Sequence, residues 1–177
     1  MWIWIAAIGG GLVGLVALVA LIGCFVPRDH VAITAGTFRA AAERLFDAIT
    51  DHAGQMAWRS GVSKIERGPD RDGKPVWVEH TGQGPMPIQE VEAVRPSRVV
   101  GRIVDEGMPF GGTWTFELAA TPDGGTRVTI TEAGFVRNLI FRALSPCFSM
   151  TKPAETYLRD LGTHVGETIT PEIARAR

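Results

Sequence analysis

No charged residue occurs before Arg28. Beyond it, Lys and Arg are scattered, with no basic run, and the whole chain of 177 residues has a formal net charge of -1. That balance argues against nucleic acid as a partner, because phosphates call for clustered cations. Cysteine is scarce: Cys24 lies in the uncharged segment and Cys147 deep in the rest, which argues against a bridge between them. The four histidines, His30, His52, His80 and His164, show no metal-ligand spacing, and no CxxC or HExxH motif occurs. Neither a metal nor a cofactor is expected. Repeats and low-complexity stretches are also missing.

The uncharged start is the first positive feature. Met1 to Val26 is apolar and longer than the roughly 20 residues that cross a bilayer. Trp2 and Trp4 sit at one end, where indoles favour an interface, and Pro27-Arg28-Asp29 closes the other. The expectation is a single uncleaved transmembrane anchor over residues 1–27. No basic residue precedes it, which argues against a cleaved signal peptide. Leu21-Ile22-Gly23-Cys24 resembles a lipobox, so lipidation at Cys24 stays open. Arg28, Arg39 and Arg44 on the C-terminal flank place the following domain in the cytoplasm by the positive-inside rule. Ala6, Gly10 and Gly14 recur every four residues, a spacing that lets two helices approach closely, and leave a homodimer open.

Residues 28–168 are enough for one domain with a real core, and 169–177 are expected to form a tail. Val31 to Thr34 predicts a first strand. Thr37 predicts an N-cap, with Phe38, Ala42, Leu45, Phe46 and Ile49 on one face of a helix reaching about Asp51. Gln55 to Trp58 predicts a short turn or helix. Strands are then predicted over Val62–Arg67, Pro75–His80, Ile88–Val94, Arg98–Val104, Gly111–Ala119 and Thr126–Ala133, separated by Gly, Pro and Asp clusters. Gly82 to Pro87 predicts a loop. A helix is predicted from Leu139, its apolar stripe continuing through Leu158, Leu161 and Val165, with Pro146 and Pro153 forcing a kink or split. Strand, helix, about six strands and a long helix make an α+β fold.

Alternation along the strands sorts their faces. Trp114, Phe116 and Leu118 share one face, and Val128, Ile130 and Glu132 share another. Glu132 thus falls on an apolar side, where a carboxylate must find a partner or take up a proton. Arg102 and Arg142 are candidate partners. A polar anchor at the end of an apolar pocket is the functional alternative, and an acid or base is the third.

The element order, Phe110-Gly-Gly-Thr-Trp114-Thr-Phe116, Gly125-Thr-Arg-Val-Thr-Ile-Thr-Glu132 and Phe141-Arg142 together resemble the SRPBCC superfamily, the START/polyketide-cyclase/birch-pollen-allergen-like helix-grip group. The resemblance covers about residues 29 to 166. The helix ending in Val26-Pro27-Arg28 makes it similar to the membrane-anchored bacterial branch. The resemblance implies a curved antiparallel sheet wrapped on a long C-terminal helix, with a deep apolar cavity between them. Members bind lipids, sterols or polyketides, and some catalyse cyclisation or dehydration. No enzymatic residue set matches here, so no catalytic residue is assigned and the chain is expected not to be an enzyme. The expected activity is membrane-tethered binding, or transport, of a lipid or other hydrophobic small molecule by Trp58, Trp77, Phe110, Trp114, Phe116 and Glu132. Two alternatives stay open. One is a cyclase/dehydratase-like enzyme using Glu132 or His80. The other is a partner-binding module with a filled core.

Overall fold

A computed structural model describes residues 2–174, with side chains from Gly9 onward. Helix α1 spans Trp2–Phe25, and β1, Asp29–Phe38, follows after a three-residue gap. Helix α2, Ala42–Thr50, and a short 3₁₀ turn, Gly54–Ala57, precede six strands. These are β2 Lys64–Arg71, β3 Lys74–Thr81, β4 Gly84–Val94, β5 Arg98–Ile103, β6 Phe110–Ala120 and β7 Thr126–Val136. Helix α3, Leu139–Leu144, a 3₁₀ turn at Ser145–Cys147 and helix α4, Lys152–Val165, come next. A last strand, β8, covers Glu172–Ala174.

The strands form one sheet in the order β2-β3-β4-β5-β6-β7-β1-β8, all antiparallel pairs. Helices α2 and α4 cover its concave face. Leu45, Phe46 and Ile49 of α2 meet Leu158, Leu161 and Val165 of α4 over Val99, Phe116, Val128 and Ile130. This is the helix-grip arrangement expected from the sequence. The C-terminal helix is split, as two prolines require: Pro146 falls in the 3₁₀ turn and Pro153 in the first turn of α4, where its missing N–H has no helical partner to lose.

Several local expectations are corrected. Thr37 does not cap a helix. The β1 ladder runs on to pair Phe38 with Thr126, so α2 begins four residues later behind Ala41, without a side-chain cap. The β2–β3 connection is shorter than the Pro69–Gly73 cluster suggests. Asp72 and Gly73 alone turn the chain, with φ of 52° and 71°, the left-handed pair that matches a two-residue hairpin. Gly84 to Pro87 is strand, not loop. The Pro87 carbonyl accepts from the Val104 N–H. The Pro87 nitrogen therefore points to the same flank, just past the end of β5, where no donor is needed. Within residues 169–177, Glu172–Ala174 pairs with β1, and Ile169 is buried in the core.

The N-terminal expectation is corrected too. Among the described residues no helix is long and apolar enough to cross a membrane. This overturns the transmembrane anchor, the single-pass cytoplasmic placement, the membrane as a partner and the membrane-anchored branch. Trp2, Trp4 and Ala6 lie outside the described side chains, and Gly10 and Gly14 have open space around them. What the structure does show for α1 is a close approach to α3. A Cβ on Gly23 would stand 2.0 Å from the Leu139 carbonyl oxygen.

Candidate functional site

Register places a row of side chains across the concave face, next to the part that α2 and α4 cover. Glu90 pairs with Gly101, Gly101 with Trp114, Trp114 with Glu132, and Glu132 with Ala32. A bulge between Glu90 and Glu92 makes this possible, because it turns Glu90 inward while Glu92 reaches Arg98 on the outer face. Ile88 and Ile103 lie opposite each other on the same inner face. These residues are half-buried, whereas Val99 and Phe116, one step further under the helices, are fully covered.

Glu132 anchors one end of the row. Its Oε1 lies 3.4 Å from Nε2 of His30. Its Oε2 is buried without a hydrogen-bond partner, as is Oγ1 of Thr34 on the adjoining strand. Burial pushes the Glu132 carboxyl above its ordinary 4.5, with His30 and the Trp114 indole pulling the other way. Gly134, opposite His30, leaves room for the imidazole. Neither expected arginine reaches Glu132. Arg102 is on the outer face and donates to Gln89 at 2.7 Å, and Arg142 donates to the Val136 carbonyl at 3.2 Å. Those expectations failed because strand parity and the path of α3, not sequence distance, decide which arginine turns inward.

A second histidine–carboxylate pair holds the other end. Nε2 of His52, just past α2, is 3.0 Å from Oε2 of Glu90. Its ring stacks on Trp77 at 4.8 Å between centroids, and Arg67 lies 5.4 Å from the same indole. Further along β3, Glu79 is buried and bridged by both guanidinium nitrogens of Arg59, at 2.6 and 2.9 Å. Burial opposes the Arg59 charge, and the Glu79 bridge outweighs it, so the guanidinium stays firmly cationic. Arg59 also lies 5.0 Å from the ring of Tyr157, whose phenol burial drives upward and keeps protonated.

The six residues singled out from the sequence thus divide. Trp114 and Glu132 are neighbours in the row. Phe110 lies on the same face at the start of β6, opposite Val136. Trp77 is at the far end, against His52. Phe116 is core, 5.1 Å from Tyr157, and Trp58 packs edge-on to Tyr157 at 5.4 Å and flat on His164 at 5.3 Å. His80 bonds to Glu66 at 2.8 Å on the outer face, away from Glu132. Sequence reasoning missed His30, His52 and Glu90, since each finds its partner only through strand pairing or helix packing. Among the described residues, no group of three or more His, Cys, Asp and Glu side chains could hold a metal.

The deep cavity implied by the resemblance is occupied by side chains. Phe116, Ile130, Tyr157, Leu158 and Leu161 fill the space between sheet and α4. Two open depressions are nearby on the surface. One, of about 340 Å³, is bounded by Ser60, Gly61, Val62, Ser63, Thr81 and Gly82, and the other, of about 370 Å³, runs along α1. Neither lies between sheet and helix. The reachable part of the concave face is the half-buried row itself.

The fold is shared with enzymes. Norcoclaurine synthase from Thalictrum flavum superposes with a TM-score of 0.63 at 10% identity, over 77% of this chain and 93% of that one. The Zhui aromatase/cyclase from Streptomyces sp. R1128 gives 0.59 at 10% identity, over 75% and 91%. A conserved protein from Geobacillus kaustophilus gives 0.61 at 12% identity, over 81% and 99%. No curated protein matches the chain in sequence. The expectation against an enzyme is corrected by the family match that follows, and the membrane tether by the lack of a spanning helix among the described residues, while binding of a hydrophobic small molecule fits that family. Residues 30–149 match the family model described as polyketide cyclase / dehydrase and lipid transport, and the chain belongs to that family.

Proposed function

We propose that this protein is an acid–base catalyst of the cyclase/dehydratase kind, acting on an apolar small molecule held on the concave face. One observation carries the reading: Glu132, half-buried on the apolar face beside Trp114, lies 3.4 Å from His30, and burial raises its carboxyl above the ordinary 4.5. A carboxyl and an imidazole in contact can supply the acid and the base of a dehydration. The imidazole of His30 takes the α-proton of a β-hydroxy ketone. The Glu132 carboxyl gives its proton to the departing hydroxyl, which leaves as water. The new C=C bond forms between the α and β carbons. The imidazolium then returns its proton to the Glu132 carboxylate across their contact, and the pair is reset. Trp114 and Phe110 offer the apolar surface that orients the substrate, and Trp77 extends it. Phe116 and Trp58 back this surface from behind. The family's description, which includes a cyclase and dehydrase, supports the reaction class.

The test uses the full chain and 4-hydroxy-4-phenylbutan-2-one, whose dehydration to 4-phenylbut-3-en-2-one is followed by ultraviolet absorbance. Glu132→Gln and His30→Phe should each slow turnover by about 100-fold or more. Trp114→Ala should raise KM more than it lowers kcat. Turnover by wild type no faster than buffer, or Glu132→Gln as fast as wild type, overturns the proposal.

A further inference from the structure

The second histidine–carboxylate pair has no part in the chemistry above. It lies in the same row, on the same face, at the opposite end. Glu90, Gly101, Trp114 and Glu132 sit on four successive strands. Three strand spacings of roughly 4.8 Å put the Glu90 and Glu132 backbones about 14 Å apart. Between them the face is apolar and low. Gly101 has no side chain, Ile88 and Ile103 lie beside it, and Trp114 presents its indole. Both ends are half-buried, with side-chain exposures of 16% and 22% for His52 and Glu90 and 24% and 20% for His30 and Glu132.

We infer that His52 and Glu90 form a distal polar subsite, so that the concave face takes an elongated molecule with an apolar, ring-bearing middle and a hydrogen-bonding oxygen at each end. This rests on the reading that the concave face is the substrate site. Gly101 keeps the floor of the row low, and a Cβ there would stand 3.1 Å from Cγ2 of Ile88, a tight contact. Trp77, stacked under His52, supplies the second aromatic wall. Short substrates reach the Glu132 end alone. Long ones span both ends, and the far contact fixes which carbon lies against His30.

Three rods with the same three-ring frame test this: p-terphenyl, 4-hydroxy-p-terphenyl and 4,4″-dihydroxy-p-terphenyl. Binding to the full chain is read by quenching of tryptophan fluorescence. Wild type should bind the dihydroxy rod at least about tenfold tighter than the monohydroxy rod, as one buried hydrogen bond implies. His52→Phe, which keeps the stack on Trp77, and Glu90→Leu should each bring that ratio close to one. Glu132→Gln should instead weaken the monohydroxy rod relative to plain terphenyl. If His52→Phe and Glu90→Leu lower the melting temperature and leave the ratio unchanged, the pair only pins α2 to the sheet and the inference fails while the Glu132 site stands. If no rod binds at all, the concave-face reading fails together with it.

Discussion

Gly134 faces His30 across the β1–β7 pair, and a Cβ at 134 would stand 2.4 Å from Cε1 of the ring. The missing side chain is what lets the imidazole lie flat enough to reach Glu132. Gly134→Ala should therefore push His30 off the carboxylate. Because a side-chain ring can swing aside, the expected stability loss is only about 1–3 kcal/mol. Dehydratase activity should fall nearly as far as in His30→Phe. Chemical denaturation and the turnover assay on one preparation check both.

Glu132 makes stability depend on pH with a definite sign. Its folded pKa lies above the ordinary 4.5, so the folded state holds the proton more tightly than the unfolded chain. Stability from this group is full below 4.5 and is lost as pH rises through the raised folded value. Glu132→Gln carries no such titration. Denaturant midpoints of the two proteins across this range should therefore separate, with the variant gaining on wild type as pH climbs. Parallel curves would show that folding does not raise the Glu132 pKa.

The Arg59–Glu79 bridge is covered by the protein. Glu79→Ala leaves a buried guanidinium hydrogen-bonded to Gln55 but without its carboxylate and should destabilise the fold by about 3–5 kcal/mol. The Asp47–Arg95 pair lies at the surface, more than half exposed, and Asp47→Asn should leave the midpoint almost where it was. Urea titrations of the two variants beside wild type measure the contrast.

Leu158 is wholly buried where α4 meets the sheet. Leu158→Ala should lower stability by about 2–5 kcal/mol, the range for a large aliphatic side chain removed from a packed interior. A smaller loss in thermal unfolding would mean that the sheet–helix space is looser than its filling residues indicate.

Gly23 lets α1 lie against α3 at the Leu139 carbonyl. Gly23→Val should separate the two helices while leaving the sheet intact. Hydrogen exchange should then speed up at the amides of Leu139–Leu144 and stay unchanged in β6 and β7. Unaltered exchange in α3 would show that the contact does not hold that helix.

Much of this architecture was legible in the sequence. Two-residue alternation in Trp114-Thr115-Phe116 and in Val128-Thr129-Ile130 determined which side chains face the core, because successive side chains of a strand point to opposite faces. Two prolines determined that the C-terminal helix is split, and the inward side of Glu132 could be read from parity alone. Tertiary structure decided the rest. The partner of Glu132 is His30 and not an arginine, because β1 pairs with β7 in a register that sets residue 30 opposite Gly134. His52 reaches Glu90 because α2 ends above β4 and a bulge turns Glu90 inward. Thr37 and Gly84–Pro87 lie in strands because neighbouring strands extend past them, against their local preference for caps and loops. Local chemistry fixes what a residue prefers and which face it takes. Pairing register, bulges and helix placement bring together residues about a hundred positions apart, and no pattern within one segment carries that information.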